Sequence, residues 1–192
     1  MRSTSLVLAV TAAWLSLGAQ AQTVEIDGVK YDATVNVVAQ DLVLNGAASK
    51  YNKQGVRSFT VALYLNAKTK SPGAIVAAPG AMSLRFKFQD NVNSDSMGFL
   101  TNKVRPNVEH DDFIKSMDGV MRLGTLLGGH PRFKKGDTIT LEYQPGNGTS
   151  VAINGVPQGA PIRGAEFFKA MLLVWLGPSP VDAQMKVALL GR

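Results

Sequence analysis

Residues 44–65, LNGAASKYNKQGVRSFTVALYL, contain two runs rich in apolar, β-branched and aromatic residues, separated by a short polar stretch. Runs of this kind favour β-strands and the polar stretch favours a connecting loop, so the segment predicts two neighbouring strands. Lys50 falls in the predicted loop, residues 47–55, directly after a run of small residues. The sequence therefore raises the question of whether Lys50 faces a ligand or only water.

Three further segments show the two-residue alternation that is typical of strands. Residues 24–31, VEIDGVKY, alternate around Asp27-Gly28, a pair that suits a two-residue hairpin turn. Residues 82–88, MSLRFKF, alternate apolar and basic side chains, and residues 137–155 form two alternating runs around Pro-Gly-Asn-Gly. This pattern predicts an antiparallel sheet that has one buried face and one solvated face.

Helical spacing appears in the middle of the chain. In residues 94–104, apolar residues recur every three or four positions after Ser94, a predicted N-cap, and Pro106 is predicted to end this short helix. A second helix is predicted over residues 109–127, with two aspartates in its first turn, where they oppose the helix dipole favourably. The expected buried side of that second helix comprises Phe113, Met117, Val120, Met121 and Leu127.

The C-terminal region, GAEFFKAMLLVWLGPSPVDAQMKVALLG, predicts two more helices. Residues 167–176 are apolar nearly all round, so the first of these helices should be buried on more than one side. Gly177-Pro178 is predicted to stop it, with Gly177 in a left-handed conformation. Because strands and helices occur in separate blocks, we expect an α+β fold with helices on one face of an antiparallel sheet.

The N-terminal residues are typical of a secretory signal peptide. Arg2 precedes an apolar run over residues 6–17, and Ala19-Gln20-Ala21 forms a small-x-small cleavage site. The apolar run is shorter than the roughly 20 residues that a membrane-spanning helix needs. We therefore predict a signal peptide over residues 1–21, a single folded domain over residues 22–192, and export to the periplasm without stable membrane insertion after cleavage.

Composition excludes several classes of protein. The chain has 192 residues, of which 45% are hydrophobic, and it contains no cysteine, so neither disulfides nor thiol-linked lipids are expected. The 20 basic and 14 acidic residues are scattered, and the densest basic group, Arg132, Lys134 and Lys135, lacks an aromatic platform beside it. A nucleic-acid partner is therefore not expected, and no pattern indicates an oligomeric state.

Common signatures of metal and cofactor enzymes are missing as well. The sequence has no phosphate-binding glycine loop, no G-x-S-x-G elbow and no thiol, and its two histidines, His110 and His130, lack a metal-ligand spacing. His110, Asp111 and Asp112 diverge around a helix axis, which favours a solvated helix start over a cation site. We therefore expect neither a metal nor a cofactor.

The order of several segments resembles the bacterial chalcone isomerase-like family. LVLNGAA is followed by FTVALYL, then by LRFKFQDNV, the hairpin LEYQPGNGTSVAING and the C-terminal run with its W-L-G-x-x-P-V and terminal L-L-G. The resemblance covers residues 35–191. It implies an open-faced β-sandwich, in which a layer of helices covers one face of a large antiparallel sheet and a ligand cleft lies between the two layers.

Two kinds of activity are implied by this resemblance. Plant chalcone isomerases add a phenolate oxygen to an enone within one substrate, while an arginine holds the reacting oxygens and a tyrosine, a threonine and an asparagine organise water and the ketone. That chemistry depends on orientation and electrostatic stabilisation. Relatives without the activity, including plant plastid proteins, bind fatty acids in the same cleft, with an arginine and a tyrosine holding the carboxylate.

The match to these functional residues is incomplete. Where the family has an arginine after N-G-A-G-V, this chain has Lys50 followed by Tyr51, and lysine lacks the planar fork that grips a carboxylate. The position of the plant threonine, or of the fatty-acid binders' tyrosine, falls on Phe59, with Thr60 beside it. Arg57 is an alternative source of positive charge.

The remaining candidates come from the first helical segment and the second strand. Asn102 or Asn107 could replace the family's asparagine, but no tyrosine occurs between residues 82 and 137. Tyr51 and Tyr64 could each offer a hydroxyl, although packing is the favoured explanation for both.

Three functions follow from these residues. The first is binding of a small apolar or amphipathic carboxylate, such as a fatty acid, in the cleft between sheet and helices, with Lys50 as the anchor. The second is an intramolecular lyase of chalcone isomerase type that acts on an enone, and the missing tyrosine argues against it. The third is an interaction module of the envelope with no small ligand.

Overall fold

The computed structural model describes residues 22–78 and 80–192, so the predicted signal peptide lies outside the described residues. The strands are β1 Thr23–Ile26, β2 Val29–Asp32, β3 Thr34–Val37, β4 Gln40–Tyr51, β5 Arg57–Leu65, β6 Met82–Phe88, β7 Val92–Asn93, β8 Arg132–Phe133, β9 Thr138–Gln144, β10 Gly148–Ile153 and β11 Val156–Pro157. The α-helices are α1 Pro72–Ala77, α2 Phe99–Asn102, α3 His110–Gly128, α4 Glu166–Leu176 and α5 Ala183–Leu189. Within the described part of the chain, none of the helices has the length and apolar character needed to cross a membrane.

Seven of these strands form one antiparallel sheet in the order β11-β10-β9-β6-β5-β4-β3. Strands β6 and β9 are neighbours in the sheet although α2 and α3 lie between them in the chain. The chain therefore leaves the sheet after β6, builds helices, and returns. The predicted α+β fold, a large antiparallel sheet with a layer of helices, is confirmed.

The two faces of the sheet have different coverings. Along β5, the side chains of Phe59, Val61, Leu63 and Leu65 pack into the core shared with the helices. Ala62 and Tyr64, which alternate with them, belong to a smaller cluster on the opposite face, against which the β1–β2 hairpin packs. We call that opposite side the outer face.

Helix α4 lies deepest in the core. Eight of its eleven residues are buried, which confirms that this helix is covered on more than one side. Its aromatic side chain Trp175 contacts Phe86 on the sheet and Phe99 on α2. The apolar surface of the sheet and that of α4 therefore form one continuous core.

The predicted short helix over residues 94–104 is wrong in detail. The segment forms a 3₁₀ turn, Ser94–Met97, then α2, then a second 3₁₀ turn, Arg105–Asn107. Ser94 lies inside the first turn and is not its N-cap. The predicted apolar positions Met97, Leu100 and Val104 are nevertheless buried, because short helical turns can present the same side to a core.

Helix α3 begins and ends close to the predicted bounds, but its buried side differs. Met121 is 59% exposed and Met117 37% exposed, so neither belongs to the core. The buried side instead includes Gly119, where an added Cβ would lie 2.6 Å from the ring of Phe167. Because Gly119 allows α3 and α4 to approach closely, the contact rotates away from the two methionines.

Gly177 also differs from its prediction. Its φ of −70° and ψ of −177° are extended, not left-handed. A Cβ at this position would lie 2.3 Å from Asn107 Oδ1 and 2.5 Å from the carbonyl oxygen of Leu173. Lack of space for a side chain therefore explains why residue 177 is glycine, and a left-handed conformation does not.

Candidate ligand-binding site

Lys50 lies within strand β4, which corrects the prediction of a loop over residues 47–55. The ladder between β4 and β5 continues through the pair Lys50 and Phe59, and only residues 52–56 connect the two strands. In the same strand, Gly46 is covered by the backbone of α5 and has no space for a Cβ, so β4 and α5 are in close contact here. Lys50 and Phe59 are directly opposite each other, so both project to the helix side of the sheet.

A β-bulge at Asn45 decides this orientation. Leu44 pairs with Tyr64 and Gly46 pairs with Leu63, so one extra residue in β4 shifts the register. Leu44 faces the outer cluster, and without the bulge positions 46, 48 and 50 would face it too. The buried Asn45 side chain supports the bulge: its Nδ2 donates to the Leu189 carbonyl at 2.8 Å, and its Oδ1 accepts from the Thr69 N–H at 2.8 Å.

The Lys50 ammonium is held by Asp182. Lys50 Nζ lies 3.2 Å from Asp182 Oδ2, and the two side chains are 32% and 31% exposed. Asp182 is also the N-cap of α5, since its Oδ1 accepts from the N–H groups of Gln184 and Met185. One carboxylate therefore caps a helix with one oxygen and neutralises Lys50 with the other.

The environment of Asp182 favours its charged form. Partial burial opposes ionisation, but the Met185 N–H and the Lys50 ammonium outweigh it, so the pKa of Asp182 lies below its ordinary value of 3.8. Near neutral pH, Asp182 is consequently an anion that forms an ion pair with Lys50.

A cleft of about 720 Å³ opens at this end of the sheet. We call it the Lys50 cleft; its defining residues are Lys50, Tyr51, Lys53, Phe59, Val92 and Arg132. Three of these side chains are cations, and no described carboxylate lines the cleft. The cleft is therefore suited to an anion.

The floor of the Lys50 cleft leads into the aromatic core. Phe59 lines the cleft and stacks on Phe99, with ring centroids 5.9 Å apart and an angle of 9° between the rings. Phe99 in turn meets Trp175 edge-on, with centroids 5.4 Å apart. The Lys50 cleft thus has basic residues at its rim and two apolar side chains, Phe59 and Val92, in its floor.

A second, smaller depression of about 360 Å³ lies on the other side of Lys50. We call it the β4–α5 groove, and its apolar lining consists of Ala48, Met185 and Ala188. Lys50 lines both the groove and the Lys50 cleft. The ion pair of Lys50 with Asp182 consequently lies between a mostly polar cleft and a groove with apolar walls.

Tyr51 and Arg57, at the ends of β4 and β5, bind Asp27 in the turn of the β1–β2 hairpin. The Tyr51 hydroxyl donates to Asp27 Oδ2 at 2.7 Å, and Arg57 Nη2 donates to the Asp27 carbonyl at 2.7 Å and to the Tyr51 hydroxyl at 3.1 Å. The nearby hydroxyls of Ser49 and Tyr51, together with the Arg57 charge, hold the pKa of Asp27 below its ordinary value. Arg57 is thus engaged at the hairpin tip and does not line the Lys50 cleft.

Thr60 and Tyr64 lie on the outer face, apart from Lys50. Both line a depression of about 400 Å³, which we call the outer cleft and define by Tyr31, Thr60, Ala62, Tyr64, Arg85 and Lys87. The Tyr64 hydroxyl donates to the Asp32 carbonyl at 3.1 Å, and burial raises the pKa of Tyr64 to about 12. The structure therefore brings Lys50 and Tyr51 together, and separately Thr60 and Tyr64.

The two asparagines occupy different places. Asn107 is buried; its Nδ2 donates to the carbonyls of Lys103 and Ser179 at 2.7 and 2.9 Å, and its Oδ1 accepts from the Ser179 N–H at 2.7 Å. Its amide is therefore used to join the segment before α3 to the segment after α4. Asn102 is exposed on α2 and lines neither the Lys50 cleft nor the outer cleft.

Sequence reasoning did not identify Lys53, Arg132 and Asp182 as site residues. Arg132 belonged to the densest basic group, and the short β7–β8 ladder brings it opposite Asn93 on the wall of the cleft. Asp182 precedes a predicted helix, which signals a cap. Its pairing with Lys50, 132 residues earlier in the chain, has no local signal.

Comparison with known proteins supports this fold. The family model described as chalcone isomerase-like matches residues 23–191. No curated protein sequence matches the chain significantly. Among solved structures, the crystal structure of an Arabidopsis thaliana fatty-acid binding protein matches with a TM-score of 0.65 and 16% sequence identity, over 88% of this chain and 96% of that chain. Identity this low shows a shared fold, and the family match over nearly all the described residues shows that the chain belongs to the chalcone isomerase-like family.

Proposed function

We propose that this protein binds a small apolar or amphipathic carboxylate, such as a fatty acid, with its carboxylate at Lys50 between the sheet and the helices. The observation that carries the proposal is the Lys50 cleft, whose lining contains three basic residues, no described carboxylate and the apolar side chains of Phe59 and Val92. One of the three basic residues, Lys50, is paired with Asp182 in the free protein. The similar fold of a fatty-acid binding protein supports the same ligand class. A volume of about 720 Å³ is within the usual range for small-molecule sites.

The charges favour an anionic head group at one end of the ligand. Lys50, Lys53 and Arg132 would together attract a carboxylate, and Lys50 is the least exposed of the three. A partly desolvated cation interacts more strongly with an anion than an exposed one does. Lys50 is therefore the proposed anchor, and the other two cations would guide the ligand to it.

Apolar surface is available to the rest of the ligand on both sides of Lys50. Phe59 and Val92 lie on one side, in the Lys50 cleft, while Met185 and Ala188 lie on the other, in the β4–α5 groove. Each buried methylene of a hydrocarbon chain contributes about 0.8 kcal/mol. We therefore expect affinity to rise with chain length over the first several carbons.

A lyase acting on an enone has less support. The Asn107 amide is fully hydrogen-bonded to backbone groups. Phe59, opposite Lys50, cannot donate a hydrogen bond. Of the candidate residues with a hydroxyl group that the sequence predicts, all within the described residues, Tyr51 alone lines the Lys50 cleft. Its hydroxyl is hydrogen-bonded to Asp27. Loss of chalcone absorbance above the spontaneous rate, abolished in Lys50→Gln, would favour the lyase over the binding function.

Fluorescence provides a direct test of ligand binding. Trp175 is the only tryptophan in residues 22–192, and its contact Phe99 stacks on Phe59 in the cleft. Titration of this protein with dodecanoate should change the Trp175 emission saturably. Lys50→Gln should weaken binding by about 0.5 to 1.5 kcal/mol, as expected for a hydrogen bond in a partly exposed, solvent-screened site. Lys68→Gln, an exposed lysine outside both clefts, is the matched control.

Two results would count against this function. An unchanged affinity in Lys50→Gln would remove Lys50 from the site. Absence of saturable binding by folded protein, for chains of eight to sixteen carbons, would reject carboxylate binding altogether.

We also propose that the protein is exported to the periplasm. The support is the N-terminal sequence, which has a basic residue, an apolar run and a small-x-small site. Fusion of residues 1–30 to a reporter that is active only after export should give activity, and the mature chain should begin at Gln22. An inactive fusion would contradict export.

A further inference from the structure

The outer cleft is a separate space on the side of the sheet away from the helices. Its floor is a grid of side chains set by the strand register: Thr60 is opposite Lys87 and Lys87 opposite Thr138, while Ala62 is opposite Arg85 and Arg85 opposite Thr140. Residues opposite one another across strands share a face, so these side chains all project outward. The floor is consequently polar and carries two cations.

One wall of the outer cleft is the β1–β2 hairpin. It covers the part of the outer face formed by β3, β4 and β5, where Tyr31 packs against the smaller apolar cluster. Arg85 and Thr140, on β6 and β9, are only partly covered, and Lys87 is exposed. The cleft therefore lies between the edge of the hairpin and the open half of the sheet.

Three basic residues line this cleft. Lys30 lines it from the hairpin, and Arg85 and Lys87 line it from the sheet. Arg85 is neutralised by Glu142, whose Oε1 lies 2.8 Å from its Nη2. Lys30 and Lys87 have no carboxylate within ion-pair distance among the described residues, and Asp32 is the sole described acidic residue in the lining.

Neutral hydrogen-bonding groups and an aromatic ring complete the lining. Tyr31 is half buried, and burial raises the pKa of its hydroxyl, so this hydroxyl stays protonated and can donate a hydrogen bond. Thr140 presents another hydroxyl beside Arg85. Ammonium groups without an ion-pair partner attract an anion, and hydroxyl donors stabilise the same anion.

From this arrangement we propose a second binding site, independent of the Lys50 cleft, in which Lys30 and Lys87 hold the carboxylate or phosphate group of a small molecule that packs against Tyr31. Arg85 and Thr140 form the polar floor beneath that group. The volume of about 400 Å³ is adequate for a ligand with a single ring.

Amide NMR titration of residues 22–192 tests the site with three probes: benzoate, phenyl phosphate and the neutral benzyl alcohol. We expect saturable shifts on β2, β6 and β9 from at least one of the anions and none from the alcohol. The double variant Lys30→Gln/Lys87→Gln should weaken this binding about fivefold or more, as expected for two charge-assisted contacts in a partly exposed site.

Two control variants make the result specific. Lys68→Gln/Lys70→Gln removes the same charge from a surface outside the cleft and should change the affinity less than twofold. Lys50→Gln should leave binding at the outer cleft unchanged, so this site and the proposed function succeed or fail separately.

The proposal is overturned by any of three results: no saturable shifts, equal weakening in the Lys68/Lys70 control, or loss of the shifts in Lys50→Gln. Binding of one anion alone supports it and identifies the head group as a carboxylate or a phosphate.

Discussion

Replacing Asp182 with asparagine should tighten carboxylate binding at Lys50. In the free protein Asp182 Oδ2 is paired with the Lys50 ammonium at 3.2 Å, so an incoming carboxylate must compete with Asp182 for Lys50. Asparagine retains an oxygen that can accept from the N–H groups of Gln184 and Met185, and it is as good an N-cap as aspartate. The substitution therefore removes the competing charge while it keeps the start of α5.

The size of the effect follows from the exposure of the pair. Both side chains are about one-third exposed, at 32% and 31%, so solvent screens the interaction substantially. Ion pairs of this kind contribute about 0.2 to 1 kcal/mol, and removing Asp182 also removes its repulsion of the ligand carboxylate. Because 1.4 kcal/mol corresponds to a tenfold change, we expect affinity to rise between about twofold and tenfold.

The assay compares dodecanoate with dodecanol by Trp175 fluorescence in the wild-type protein, Asp182→Asn and Asp182→Asn/Lys50→Gln. The single variant should bind the carboxylate more tightly and the alcohol as before, and the double variant should lose the gain. An equal gain for the alcohol, or a gain that survives in the double variant, would show that the ligand head group does not meet Lys50.

Three further predictions concern stability. Val38 and Ala39 have φ values of 46° and 60° in the β3–β4 turn, a conformation that side chains other than Asn and Gly adopt with strain. Val38→Asn/Ala39→Gly should therefore raise the free energy of unfolding by about 1 to 2 kcal/mol, measured by thermal denaturation. An unchanged or lower Tm would refute strain in this turn. Gly119→Ala should destabilise by about 1 to 3 kcal/mol because its methyl would meet an aromatic ring of α4, whereas Gly73→Ala, with no atom within 4 Å, should not. The pKa of Asp27 is lowered from 3.8, so its stabilising contribution is present above about pH 4 and is lost as pH falls through its folded-state pKa. Asp27→Asn should therefore reduce the loss of unfolding free energy at acidic pH, measured by denaturant unfolding at several pH values. An unchanged loss would show that Asp27, in the β1–β2 turn, does not cause it.

Much of the fold could be predicted because its elements carry local patterns. The hairpin turn at Asp27 and Gly28 has φ values of 53° and 69°, as its residue types indicated. The alternation in β6 and the apolar run of α4 likewise predicted which residues are buried. Periodicity failed for Met121, where the approach of a neighbouring helix at Gly119 selected a different buried side.

The site was predicted less completely, since its residues come from distant parts of the chain. Lys50 was identified through the family resemblance, but Arg132 enters the cleft through the β7–β8 ladder. Thr60 is a candidate because it adjoins Phe59 at the family's threonine or tyrosine position, and Tyr64 is a candidate because it offers a hydroxyl. In the sheet they project to the outer face, because side chains alternate along β5.

The sequence by itself determined the kinds of elements, the family and the presence of a basic residue after NGAAS, since each depends on local chemistry or on the order of motifs. Only the tertiary structure decided which side of the sheet Lys50 faces and what it contacts. One extra residue at Asn45 shifts the register and turns Lys50 toward the helices, where Asp182 meets it. A one-residue shift reverses the face of every following side chain, and the contacts that hold this bulge come from Thr69 and Leu189, distant in the chain.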